Sequence, residues 1–386
     1  MFLRIKGGEI FSPTSLGSKD VLLCGSQIAE ISDSTVALGH SDIKEIDASN
    51  CYVVPGFVES HTHFLGAGGV FGPTSRNPEI QLSSLFRAGI TTAMSPLGTD
   101  NQVNTLLRLL MKARALEDGG VTTYIYTGGF QKPIPSITGS VMTDQMAIDK
   151  VIGVKTALYE PNASRYTKDE FMELVRNTRL GGTMSNKAGI LLAHLGKCES
   201  NFEEICDLFD EIGIPMSHLV LTHVNLNKTV LEKVVYAGKR GVNLDITANM
   251  TPDLFFEPTT VRPCDAIKFF LDAGIPLSQI TMSSDSNAGV QFKKYPGTVT
   301  DVAGIYNEFK KLVVMGALSM EEALSLITSN PAMRYGISDR KGYLAVGKDA
   351  DVVILDKHLD IKDVIAKGKL VYSRDNFIKK GPFEEA

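Results

Sequence analysis

VPGFVESHTH, residues 54–63, is the stretch on which the fold turns. An apolar run ends on two histidines, His61 and His63, spaced at i and i+2. In an extended strand that spacing puts both imidazoles on one side. Seven more short apolar runs follow: ITTAMS (90–95), TTYIYTG (122–128), VIGVKTAL (151–158), GILLAHL (189–195), LVLTHV (219–224), VNLDIT (242–247) and ITMSSD (280–285). Amphipathic segments at 105–116, 169–180, 201–212, 229–240, 262–273 and 301–315 lie between or after them. In the first of these, Leu106, Leu109, Leu110, Ala113 and Leu116 recur at helical spacing. Gly89, Gly119, Gly181, Gly213, Gly241 and Gly274 stand where helix C-caps want a positive φ. Eight strand–helix units within residues 56–338 predict an α/β fold, a (β/α)8 or TIM barrel. No G-x-G-x-x-G follows the first strand, which argues against a dinucleotide-binding sheet.

The two ends read differently. VLLCG (21–25), IAEIS (28–32) and CYVVP (51–55) at one end, and ADVVILD (350–356) and GKLVYS (368–373) at the other, are β-like runs between turn residues. Neither end is long enough for a core of its own. Residues 1–55 and 339–386 are therefore expected to pair into one small β-sandwich domain. With 39 Lys+Arg against 44 Asp+Glu, a net charge of −5, and no long basic run, the chain lacks the footprint of a nucleic-acid binder. The first residues, MFLRIKGGEIFSP, lack the apolar core of a signal peptide, and no uncharged apolar stretch approaches a membrane span. Five cysteines, none in a C-x-x-C pair, fit reduced thiols. The expected location is the cytoplasm.

Polar residues gather at the C-terminal ends of the runs, where barrel enzymes build their sites. His61 and His63 end the first, His194 lies near the end of the fifth, His223 of the sixth and Asp285 of the eighth. An H-x-H alone is weak evidence for a metal, but imidazoles and a carboxylate on separate strand ends suit Zn²⁺ and similar divalent ions. Lys155 sits inside the fourth run. Burial there favours a neutral amine, which can take up CO2 as a carbamate ligand. Pairing of Lys155 with a carboxylate is the other reading, and spacing alone leaves both open. His40, His218 and His358 are expected to be structural or solvated, and Cys198 and Cys206 to pack.

At these residues a family resemblance becomes specific. IDASNCYVVPGFVESHTH (46–63), TSNPA (328–332) and GKDADVVILD (347–356) resemble the opening and closing signatures of the amidohydrolase superfamily. Within it, GGVFGPTSRNPE (68–79), LGTD (97–100), SITGSV (136–141), VIGVK (151–155), THVN (222–225) and SSDSN (283–287) are similar, in order, to segments of metallo-type isoaspartyl (β-aspartyl) dipeptidases. The resemblance implies a binuclear zinc centre. His61, His63 and Asp285 would hold one ion, His194 and His223 the other, and carboxylated Lys155 would bridge them. A metal-bridging hydroxide would attack the amide, with Asp285 as general base and then general acid. Gly68 and Thr99 match substrate-contact positions. The resemblance also implies a homo-oligomer and a small-molecule amide or dipeptide substrate.

The remaining substrate contacts depart from the family. Val70 stands where an acidic residue would hold the substrate ammonium. Asn162 and Leu226 replace arginines for substrate carboxylates, Phe130 replaces a tyrosine, and Gly289 a serine. Losing a buried charged partner typically costs several kcal/mol. The expected substrate is therefore an amide less charged than a β-aspartyl dipeptide, such as a cyclic amide or an N-acyl compound, unless Lys132, Arg165 or Tyr159 restores the contacts. A metal-binding scaffold without activity is the alternative from another class. A mononuclear deaminase is disfavoured, because a single-metal site has no use for Lys155.

Overall fold

A computed structural model describes residues 2–33, 43–70, 72–197, 200–253, 259–291, 296–374 and 376–384. His40 and Cys198 lie outside these residues. Eight parallel strands form one sheet in chain order: Phe57–Glu59, Ile90–Ser95, Thr122–Gly128, Val151–Leu158, Ile190–Leu195, Leu219–Thr222, Asn243–Thr247 and Ile280–Ser283. The sheet closes between its first and last strands just beyond their ends. Thr62 bridges Ser286 in parallel, the Asp285 N–H donates to the His61 carbonyl at 2.9 Å, and the His63 N–H donates to the Ser286 carbonyl at 2.9 Å. At the opposite end the same two strands donate instead to the carbonyls of Ile327 and Leu326, from Val58 and Met282. The fold is thus a (β/α)8 barrel whose seam runs through the histidine-bearing turn.

Strand periodicity decides what faces inward. In the fifth strand Leu191, Ala193 and Leu195 join the large apolar core that also contains helix residues, while Ile190 and Leu192 belong to a separate inner cluster with Val58, Met94, Tyr126 and Val220. His194 continues that inward series. In the seventh and eighth strands Leu244, Ile246, Ile280 and Met282 join the large core, and Asp245, Thr247, Thr281 and Ser283 alternate with them. The helices follow the expected periodicity. Leu106–Asp118 buries Leu106, Leu109, Leu110, Ala113 and Leu116, and Thr105 caps it by accepting from the Arg108 N–H. Lys168–Met184 starts with a capping box of Thr167 and Glu170.

Some local expectations need correction. The first apolar run is not one strand: Tyr52–Pro55 belongs to the terminal sheet and Phe57–Glu59 to the barrel, with Gly56 as the switch between them. Gly89, Gly213, Gly241 and Gly274 have positive φ as expected, but Gly119 is right-handed and Gly120 (φ 115°) takes that part. Gly181 lies inside helix Lys168–Met184, where a Cβ would come within 2.7 Å of Gln145 Nε2 on the neighbouring helix. Close helix packing, not capping, requires that glycine.

The chain ends meet in a nine-stranded sheet. Phe2–Phe11 lies near its centre, antiparallel to Ser15–Cys24 and parallel to Ile43–Asp47 and Tyr52–Pro55; the last of these pairs with Val352–Leu355 from the C-terminal segment. The sheet encloses its own apolar cluster, including Ile5, Ile10, Val21, Leu23, Val53, Val352 and Ile354. Among the described residues, no helix is long and apolar enough to cross a membrane. A buried ion cluster ties this sheet to the barrel. Lys341, 3% exposed, places Nζ 2.7 Å from Asp349, 2.5 Å from Asp351 and 2.7 Å from the Thr122 hydroxyl of the third barrel strand. Removing one partner of a buried ion pair strands the other charges. Lys341→Ala is expected to lower unfolding free energy by about 3–5 kcal/mol in urea titrations; a loss below about 1 kcal/mol, the level of a surface pair, would show that the cluster does not anchor the sheet.

Candidate metal centre

The seam brings the imidazoles together. His61 and His63 leave the first strand and Asp285 leaves the eighth, and their ligand atoms lie within 4.8 Å of one another, all buried. His63 Nε2 is 3.0 Å and His61 Nε2 3.5 Å from Asp285 Oδ1, and His223 Nε2 is 4.0 Å from Oδ2. The His194 and His223 rings are 4.4 Å apart between centroids, and His61 and His223 5.3 Å. Lys155, fully buried in the fourth strand, points its Nζ to within 3.2 Å of His61 Nε2. All six residues except His223 line one cavity of about 150 Å³, with Gly68, Thr99, Val70, Phe130 and Leu226 in its walls. His223 lies behind this wall, against His194 and His61. Roomier cavities exist, but no other described one gathers imidazoles.

Neighbouring hydroxyls orient the rings. His223 Nδ1 lies 2.7 Å from Thr247 Oγ1, and His61 Nδ1 lies 3.3 Å from Thr222 Oγ1, which itself donates to Asp245 at 2.8 Å. An Nδ1–H given to a hydroxyl leaves the Nε2 lone pair free to face the centre. Among the described residues, His223 Nε2 and His63 Nδ1 are buried with no hydrogen-bond partner. Orphaned buried nitrogens are costly unless something binds them. This donor set of imidazoles and one carboxylate fits a zinc-like ion.

The electrostatics suit ligands too. Burial pushes the His61 and His223 imidazoles well below their ordinary range and lowers His194, so all three favour the neutral form. Burial lowers Lys155 to about 7 despite attraction from Asp285 and Asp245. Burial would raise the Asp285 carboxyl, but His61, His223 and the His63 contact outweigh it and hold it well below the usual carboxylate range. Behind the rings, burial raises Glu59 to about 8; its carboxyl receives the His61 and Ser284 N–H groups. His223 (φ 68°) and Asp285 (φ 49°) both hold left-handed backbone that non-glycine residues rarely adopt. Such strain costs about 1–3 kcal/mol per residue and concentrates at functional sites.

The other residues named from the sequence are distributed unevenly. Gly68 holds a φ of 142°, and a Cβ there would sit 2.4 Å from the Ser75 carbonyl, so only glycine fits this wall. The Phe130 ring stands 4.9 Å from that of His194. Leu226 is buried, and Val70 is 44% exposed at the rim. Asn162 does not line the cavity; its N–H and Nδ2 donate to Glu160 Oε1 at 3.0 and 2.9 Å. Gly289 opens the short strand Gly289–Gln291 beyond the eighth barrel strand. Lys132 is paired with Glu170 at 2.8 Å, the Tyr159 hydroxyl donates to the Asn201 carbonyl, and neither lines the histidine cavity; Tyr159 and Arg165 line a neighbouring cavity of about 440 Å³. His218 Nδ1 contacts the Gly189 carbonyl, His358 is in an exposed turn, and Cys206 is buried in a helix. The sequence reading missed Glu160 and Lys197, which line the same cavity as the histidines. Both follow strand ends, the one signal by which they were findable.

The amidohydrolase family has a model that matches residues 52–377. β-Aspartyl dipeptidase from Fervidobacterium islandicum AW-1, solved in complex with β-Asp-Leu dipeptide, is similar at 32% identity and a TM-score of 0.90, with all of both chains covered. A D-hydantoinase structure shares the fold at 18% identity and a TM-score of 0.74, covering 99% of this chain and 98% of that one. A dihydroorotase from Streptococcus pyogenes serotype M3 is 24% identical over 91% of this chain and 89% of its own length. An imidazolonepropionase from Mesorhizobium japonicum is 23% identical over 84% of this chain and 82% of its own.

Lys155 makes the metal-free protein sensitive to pH in a defined direction. Its amine titrates near 7 when folded against an ordinary value near 10.5. Below the folded value the buried ammonium carries the whole penalty. As pH rises toward 10.5 the unfolded chain holds the extra proton, and the penalty fades. Lys155→Met should therefore stabilise the metal-free protein by roughly 2–3 kcal/mol more at pH 6 than at pH 9 in denaturant titrations. An equal effect at both values would contradict a buried, neutral-leaning amine.

Proposed function

The chain belongs to the amidohydrolase family, and on that premise we propose that it is a binuclear zinc-dependent hydrolase of C–N bonds in small amides. His61, His63 and Asp285 would hold one ion, His194 and His223 the other, and Lys155, as its carbamate, would stand between them. Such ions, when bound, acidify water at neutral pH and polarise an amide carbonyl.

The chain's own residues supply the rest. The hydroxyls of Thr222 and Thr247 fix the tautomers of His61 and His223. Asp285 is ionised and lies at the centre of the imidazoles, so it can accept the proton of the attacking water. It then returns that proton to the nitrogen as the C–N bond breaks. Val70, Phe130 and Leu226 give the cavity apolar walls where a dipeptidase of this kind would carry charges and a phenol. This favours an amide lacking the paired carboxylates of a β-aspartyl dipeptide. The observation that carries the reading is the convergence of four imidazoles and Asp285 on a fully buried lysine.

With zinc and bicarbonate supplied, a panel of β-aspartyl dipeptides, cyclic amides and N-acyl amides should reveal hydrolysis. In Asp285→Ala, kcat should fall by about 10²–10⁴-fold or more with the circular-dichroism spectrum unchanged. Full activity in that variant, or no turnover by the wild-type protein across the panel, would refute the assignment.

A further inference from the structure

Glu160 is the acidic residue of the cavity that the metal reading leaves without a task. It follows the fourth barrel strand, Val151–Leu158, and its side chain is 12% exposed. Asn162 fixes one oxygen of the carboxylate, donating to Oε1 from both its backbone and its side chain. The other oxygen, Oε2, lies 3.6 Å from Nε2 of His194, whose ring lines the histidine cavity; Glu160 lines this cavity and also the neighbouring one of about 440 Å³. That distance exceeds a good hydrogen bond. Among the described residues no lysine or arginine pairs with Glu160. Lys197, the other charged side chain outside the metal cluster that lines the cavity, is exposed.

The replacement at position 162 therefore does more than delete a cation. An arginine there would present positive charge to substrate, whereas Asn162 clamps a carboxylate in its neighbourhood. Together with Leu226, the exchange takes two cations from the wall, and with Val70 in place of an acidic residue it leaves Glu160 as the one acidic side chain lining the cavity outside the metal cluster. A half-buried carboxylate that lines a cavity with only one oxygen satisfied is a receptor for a cationic hydrogen-bond donor. We propose that Glu160, oriented by Asn162, is the specificity-determining residue of this site, and that it selects amides carrying a protonated primary amine over neutral or acidic ones. This rests on the hydrolase reading for the place of the scissile bond, but not for the binding preference.

Calorimetry on the zinc-loaded protein separates the two. The probes are β-alaninamide (ammonium), propanamide (neutral) and succinamate (anionic), three short amides that differ chiefly in charge. The wild-type protein should bind β-alaninamide most tightly and succinamate least. Glu160→Gln should reduce the preference for β-alaninamide over propanamide about 10–100-fold while zinc content stays unchanged. Asn162→Ala should reduce it in the same direction by less, since the carboxylate remains but loses its clamp. An unchanged preference in Glu160→Gln would overturn the proposal. So would a loss of bound zinc in that variant, which would make Glu160 a metal ligand. Preferential binding of β-alaninamide without turnover of any amide would uphold the role of Glu160 and count against the hydrolase reading alone.

Discussion

The barrel closes through the turns that carry His61, His63 and Asp285. The Asp285 N–H on the His61 carbonyl and the His63 N–H on the Ser286 carbonyl are among the hydrogen bonds that join the eighth strand to the first at the mouth. Closure and assembly of the His61–His63–Asp285 group are one event. This explains why the strained backbone of Asp285 persists: the same residue satisfies a seam hydrogen bond and carries the central carboxylate, so surrounding structure over-determines it. It also explains why the lower half of the seam is made differently, with the carbonyls of Leu326 and Ile327 completing the first and eighth strands from outside. Backbone at that end has no site to build.

Around this seam, hydroxyls do what charges could not do at tolerable cost. Asp245 is fully inside the barrel, and the side chains of Thr222, Thr281 and Ser283 satisfy it at 2.6–2.8 Å. Burial lowers the affinity of the Lys155 amine for its proton, and the attraction of Asp245, which forms no direct ion pair with it, offsets this only in part. Thr222 links the two functions, since it orients His61 on one side and satisfies Asp245 on the other. A neutral amine, neutral imidazoles and one ionised carboxylate make a donor set ready for cations. Glu160 adds a second, separate negative charge on the fourth-strand side, where it can act on substrate.

Much of this was legible from residue order alone, and the reasons are physical. Alternation in GILLAHL and the 3.6-residue recurrence of Leu106, Leu109, Leu110, Ala113 and Leu116 encode which faces are buried, so barrel strands and helices could be read directly. The histidines stood out because imidazoles at strand ends have few other uses. The apolar run 54–63 crosses the break at Gly56, although the expected division between residues 55 and 56 falls there, because a run buried on both sides looks the same whether it serves one sheet or two. Gly181 was misread because close helix approach and capping both demand glycine. Thr222, Thr247 and Asp245 blend into β-rich runs where threonine is ordinary. Glu160 lies in a loop without periodicity, and only folding reveals that Asn162 turns it toward His194.

The central claim is that this donor set is a two-metal site, and the amount of zinc retained tests it most directly. The protein is loaded with zinc and bicarbonate, desalted, and its metal counted per chain by mass spectrometry. The account predicts about two ions per chain. Protein that emerges folded and free of zinc would contradict it.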